Sequence, residues 1–212
     1  MFTRCLRADF YKMKRSSVII AHIIIPIVVS AVFLAYYAIS GWNETDKITA
    51  FYETLGSAFP VLIGIFTASI MEQEQNAGAF QNLLTLRSRT AALFSKVVTL
   101  LVFGLFALLF TAVIFGFGFN MIHGHSIASM GLFVRAVLVM WLSAIPLYLI
   151  FEIFAFVFGK AFAIGAGLIS GLISALFLTD IGMYAKPGNT FDVVRSFLLY
   201  RNYADFCKEI RI

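Results

Sequence analysis

SVIIAHIIIPIVVSAVFLAYYAI, residues 17–39, contains no Asp, Glu, Lys or Arg. A helix needs ~20 consecutive apolar residues to cross the hydrocarbon layer of a bilayer, and this run is long enough. Further apolar runs occupy residues 49–71, 91–119, 132–158 and 161–178. They predict an all-α, polytopic membrane bundle of five spans. Pro26, Pro60 and Pro146 fall inside the runs, where neighbouring helices can compensate for a lost backbone donor, so they read as kinks and not as ends.

Composition agrees. The chain is 61% hydrophobic and 13% charged, against about a quarter charged in a soluble domain. The net charge of +5 does not imply nucleic-acid binding, because the basic residues cluster at the ends of the apolar runs and not in a surface stripe. Arg4, Arg7, Lys12, Lys14 and Arg15 precede the first run; Arg87, Arg89 and Lys96 lie around the start of the third.

Ahead of the first span, residues 1–16 place Phe2, Leu6, Phe10 and Met13 at helical steps of three and four, with most of the basic residues on the other side. This pattern predicts an amphipathic helix in the headgroup layer. By the positive-inside rule the amino terminus is cytoplasmic and loop 41–48, with Glu44, Asp46 and Lys47, is outside. Segment 72–90 is then inside, 120–130 outside and the turn at Gly159 and Lys160 inside. The polar tail 179–212 falls outside; its acids Asp180, Asp192, Asp205 and Glu209 nearly cancel its basic residues. No linker or repeat divides residues 1–212, which read as a single transmembrane domain. The first run is too long for a signal-peptide core, and Cys5 and Cys207 fall on opposite sides of the membrane.

The most informative polar stretch is MEQEQNAGAFQNLLTL, residues 71–86. Glu72 and Glu74 close the second span, Gly78 breaks the helix, and Phe80, Leu83, Leu84 and Leu86 supply an apolar set for a short helix. Such a segment suits docking to a partner protein or lying on the membrane surface. Glu152 lies within the fourth run, where an ionisable group is costly and marks a candidate functional position or a structural hydrogen bond. Ala163, Gly167, Gly171 and Ala175 recur every four residues in the fifth run and predict a close helix–helix face, within the chain or with a second subunit.

Other features carry less. His123 and His125 lack further ligands and make an incomplete metal site. Asn43-Glu44-Thr45 is a glycosylation sequon that matters only in a glycosylating host. A phosphate loop is absent, because Lys160 follows Gly159 but Phe154 and Ala161 occupy the other required positions. No nucleophile elbow or zinc-protease motif occurs either. The chain is expected to have no catalytic residue and no cofactor of its own.

The second span closing on EQEQNAGAFQNLLTLRSRTAALFSKVV, residues 72–98, after a basic amphipathic helix, resembles the permease subunit of type-2 ABC exporters. The resemblance implies that Glu72, Glu74, Gly78, Phe80, Gln81, Leu83 and Leu84 form the coupling helix that docks on a cytoplasmic ATPase subunit. That partner would bind ATP and Mg. AIPLYLIFEIFAFVFGKAFAIGAGLISGLISALFLTDIG, residues 144–182, is similar to permeases of the lantibiotic immunity group. It implies a second permease, the same or a related chain, and an antimicrobial peptide as cargo. A lipid, drug or other amphiphile as cargo, or sequestration of the peptide without transport, are the alternatives. The family has six spans, so the resemblance also implies a sixth, which is not in this chain.

Overall fold

A computed structural model describes residues 2–14, 16–78, 80–81, 89–123 and 129–184. They form six helices: α1 (Phe2–Met13), α2 (Ser17–Ile39), α3 (Glu44–Asn76), α4 (Arg89–His123), α5 (Met130–Val157) and α6 (Lys160–Tyr184). The five helices α2 to α6 are long and apolar enough to cross a membrane. Leu83, Leu84, His125 and residues 185–212 lie outside the described residues.

Several helices run past the apolar stretches that predict them. The loop expected at 41–48 shortens because α3 begins at Glu44, with Glu44 and Asp46 in its first turn, where carboxylates meet the positive end of the helix. At its other end α3 continues through Glu72 and Glu74 to Asn76, so the start of the segment read as a loop is helical. Likewise α4 extends through Asn120 to His123, and α6 enters the predicted tail as far as Tyr184. Hydropathy marks where side chains meet lipid, whereas backbone hydrogen bonding continues until a cap or a turn stops it. Pro26, Pro60 and Pro146 lie inside helices α2, α3 and α5 and end none of them.

Ser16 separates α1 from α2. Its extended backbone and its hydroxyl, which accepts from the Val18 N–H at 3.2 Å, cap the first span. Helix α1 is docked on the bundle as well as amphipathic: it packs against α4, with Phe10 against Phe103 at 5.5 Å between ring centroids and Met13 buried.

Within the bundle α4 packs against α2 and α5, α5 against α3, and α3 against α6. The α3–α6 contact is the most extensive of these, and glycines allow it. A Cβ on Gly64 would stand 2.7 Å from the Ala163 carbonyl oxygen, and one on Gly167 would stand 3.0 Å from that of Pro60. One on Gly171 would meet Val61 and, at 3.0 Å, the Ser57 carbonyl. The small-residue face of α6 is therefore occupied by α3 of the same chain through Ala163, Gly167 and Gly171, with Ala175 half-buried farther along. By contrast α2 and α3 scarcely touch. Near one end of the bundle Phe51 and Phe115 stack at 3.6 Å, surrounded by Tyr37, Phe119 and Phe133, all buried.

Candidate functional site

The polar chemistry of the bundle concentrates at the end where α1 lies. Glu72 and Glu74 are two residues apart on α3, which places them on opposite sides of the helix at 3.6 residues per turn. Glu74 points inward. Its Oε1 accepts from Lys12 Nζ of α1 at 2.6 Å and from Lys96 Nζ of α4 at 2.8 Å. Lys96 also reaches Asp9 Oδ1 at 3.3 Å, and the Ser95 hydroxyl donates to Asp9 Oδ2. Glu74, Ser95 and Lys96 are buried, so the two acids and two lysines neutralise one another where water is scarce, the condition for keeping charges there at all.

Glu72 faces the other way. Both its oxygens accept from Lys160 Nζ at 2.8 Å, at the first residue of α6. This pair is about half exposed. Between the two acids, Gln73 donates to the Ser16 hydroxyl at 2.7 Å, which ties the end of α3 to the α1–α2 junction.

Helix α3 then stops in an open turn. The Ala77 N–H bonds back to the Gln73 carbonyl at 3.0 Å, and Gly78 follows with φ +139°. Gln75, Asn76, Ala77, Gly78 and Gln81 are exposed. Phe80 differs: it also has a positive φ, +63°, which is unusual for a bulky residue, and its ring packs edge-on against Phe156 of α5 at 5.4 Å. The structure thus gives five of the seven residues assigned to coupling distinct positions. Glu74 and Phe80 are held by the bundle, Glu72 is paired at its surface, Gly78 and Gln81 are exposed to the outside of the bundle, and Leu83 and Leu84 are outside the described residues.

Asp9, Lys12, Ser95, Lys96, Gln73 and Ser16 belong to this site and were not singled out as such by sequence reasoning. Asp9 is an acid inside a basic amphipathic segment, and Lys96 is a cation in the first turns of a span; those two anomalies are the only local signal.

Glu152 on α5 is 2% exposed, and neither carboxylate oxygen has a hydrogen-bond partner. It does not pair with Lys160, which is engaged by Glu72.

At the opposite end of the bundle, Lys47 is buried and donates to the Tyr37 carbonyl at 2.9 Å. His123 bonds through Nδ1 to the Phe119 carbonyl at 3.0 Å, so Nδ1 carries the proton and Nε2 accepts from Lys47 at 3.3 Å. Both ring nitrogens are thereby used, and no group of three or more potential metal ligands occurs among the described residues.

No curated protein and no solved structure matches the chain. The family model described as ABC-2 family transporter protein matches residues 5–177, which takes in most of α1, helices α2 to α5, most of α6, and the charged cluster with the turn after α3. The chain belongs to the ABC-2 family of transporter proteins.

Proposed function

We propose that the chain is the membrane subunit of an exporter that expels an antimicrobial peptide of the lantibiotic kind from the cell membrane, and so protects the cell that carries it. The family makes the chain a multi-pass permease that works with an ATP-binding subunit. The peptide cargo rests on the similarity of residues 144–182 to lantibiotic immunity permeases. A cationic, lipid-soluble peptide already in the bilayer needs no polar tunnel, and the wide apolar exposure of α2 and α6, from Ile20 to Ile39 and from Leu168 to Phe177, supports a cargo handled from lipid.

The observation that carries the coupling part of the proposal is the exposed turn after α3. Gly78 and Gln81 are exposed there beside a cluster that joins α1, α3 and α4. In this reading the ATPase subunit docks on the turn, ATP hydrolysis shifts it, and the bundle changes between two arrangements. The α1 end then faces the cytoplasm of a bacterial cell. A second permease, identical or related, completes the transporter.

Co-expression with neighbouring genes tests this. A Walker-motif ATPase should copurify in a fixed ratio, and replacing Glu72, Gly78 and Gln81 together should release it. Cells carrying the intact set should survive a lantibiotic that kills cells lacking it. Protection that persists after the ATPase is released, at equal expression, would show sequestration instead of transport. Resistance to a lipid-like drug without resistance to the peptide would reassign the cargo.

A further inference from the structure

Between α2 and α3, where the two helices scarcely touch, lies a cavity of about 150 Å³. Its walls run from Ala21 to Phe33 on α2, from Thr54 to Phe66 on α3 and from Gly104 to Thr111 on α4, with Tyr148 of α5 at the back. Each of these stretches is centred close to the middle of its own helix. The cavity therefore sits at mid-height of the bundle, the level at which the acyl chains of the two leaflets end.

We infer that this cavity is a lipid site that takes the methyl-terminal end of an acyl chain from the surrounding bilayer. The first support is the chemistry of its wall. The two threonine hydroxyls on it are already spent on their own helices: Thr54 donates to the Ala50 carbonyl and Thr111 to that of Ala107, each at 2.8 Å. The His22 ring lies flat against Phe66, 4.0 Å between centroids; its Nδ1–H is held by the Val18 carbonyl at 2.7 Å, and its Nε2 has no hydrogen-bond partner but is buried. The lining presented to an occupant is hydrocarbon. An apolar cavity of about this volume excludes water and accepts a small hydrocarbon.

The second support is the way in. Thr54 and Ala58 line the cavity and are themselves exposed, whereas Leu55, Phe59 and Leu108 on the inner wall are buried. Its mouth thus opens between α2 and α3 on a surface bathed by lipid tails, and an acyl chain is the apolar molecule present there at the highest concentration. Occupied, the chain end fills the space that α2 and α3 leave between them. The inference concerns the resting bundle and stands independently of what the transporter exports.

Photolabelling of the full chain in phosphatidylglycerol–phosphatidylethanolamine vesicles tests it. One set carries a trace of phosphatidylcholine with a diazirine at the acyl terminus, and a second set has the diazirine beside the glycerol. The terminal probe should label Leu55 and Leu108, which are buried and line the cavity, and the glycerol-proximal probe should not. Ala107→Leu, which fills the cavity, and Ala58→Leu, which narrows its mouth, should each abolish that labelling while Ile169 on the lipid-facing side of α6 stays labelled. Label on Ile169 but none on Leu55 and Leu108 in the unaltered chain would overturn the inference. So would equal labelling of the inner wall by both probes, or inner-wall labelling that survives both substitutions.

Discussion

Replacing Glu74 by Gln removes the carboxylate that Lys12 and Lys96 share while keeping the side chain's size. Lys96 is the residue that suffers, since its side chain is 5% exposed and its strongest partner, at 2.8 Å, becomes neutral. Breaking a buried ion pair by removing one partner costs ~3–5 kcal/mol, because the remaining charge is left without compensation. Here Asp9 still faces Lys96 at 3.3 Å, and the glutamine oxygen can still accept a hydrogen bond, so the lower end, about 3 kcal/mol, is expected. Lys12 adds little, because its side chain is 54% exposed. Glu72→Gln is the matched control, two residues away on the same helix. Its pair with Lys160 is 40% and 50% exposed, and exposed pairs are worth ~0–1 kcal/mol. The measurement is unfolding by SDS in mixed micelles, followed by circular dichroism, for Glu74→Gln, Lys96→Met and the double variant. The double variant should be less destabilised than the sum of the singles by about 1–3 kcal/mol, as for residues in one network. Equal loss in Glu74→Gln and Glu72→Gln, or strict additivity with Lys96→Met, would refute the view that the cluster is a buried, mutually compensated unit.

Gly64→Ala should destabilise by about 1–3 kcal/mol, since its methyl would press on the Ala163 carbonyl and the α6 backbone has no rotamer to move aside. Gly165→Ala, with nothing near its Cβ, should instead be neutral or stabilising by up to about 1 kcal/mol through helix propensity. The two together, read by the same unfolding assay, separate packing from propensity. Ser16→Ala removes both the cap of α2 and the acceptor for Gln73 and should cost about 1–2 kcal/mol; restoration by Ser16→Thr would identify the hydroxyl as the cause. Gly78→Val has nothing within 4 Å of its Cβ yet must adopt φ +139°, a strain of about 1–3 kcal/mol. It should therefore alter the turn locally, seen as increased proteolysis after Asn76, with little change in global unfolding.

The membrane-spanning character was legible because it depends on a sum over many residues: five apolar runs survive any local error. Helix ends were not, because Glu44, Glu72 and Asn120 are polar residues that continue a helix once their backbone bonds are available. Within the site, Glu74 was visible as an acid at the end of a span, but its partners were not. Asp9, Lys12 and Lys96 are separated from it by 65, 62 and 22 positions in sequence, and nothing local says that α1 folds back onto the start of α4. The small-residue face of α6 shows the same limit. Its spacing announces a close contact, but only the positions of Gly64 and Pro60 identify α3 as the neighbour. Phe80 illustrates a third kind of gap, since an apolar residue in an exposed segment reads the same whether it meets a partner protein or, as here, Phe156 of its own chain.

The contacts of the turn after α3 suggest which motion a docked ATPase subunit would drive. Glu74 joins α3 to α1 and α4 through buried charges, and the glycine face joins α3 to α6 along much of its length. Neither yields readily. Between α2 and α3, by contrast, there are few contacts, a cavity, the stack of His22 on Phe66, and one hydrogen bond near each end, from Gln73 to Ser16 and from Lys47 to the Tyr37 carbonyl, worth about 1 kcal/mol net for the neutral bond and about 1.5–3 kcal/mol for the charged one. The least costly rearrangement is a change in the separation of α2 and α3 at mid-height, where the cavity lies. Joining Val29→Cys to Ala58→Cys, both on the cavity wall, with a flexible bis-maleimide in a background where Cys5 and Cys207 are serine, should block it. The joined chain is expected to keep its ATPase subunit on purification but to lose the protection against peptide proposed above, and cleavage of a reducible linker should restore it. Full protection with the two helices joined would mean that the working motion lies elsewhere, at the α3–α6 contact or between two permeases.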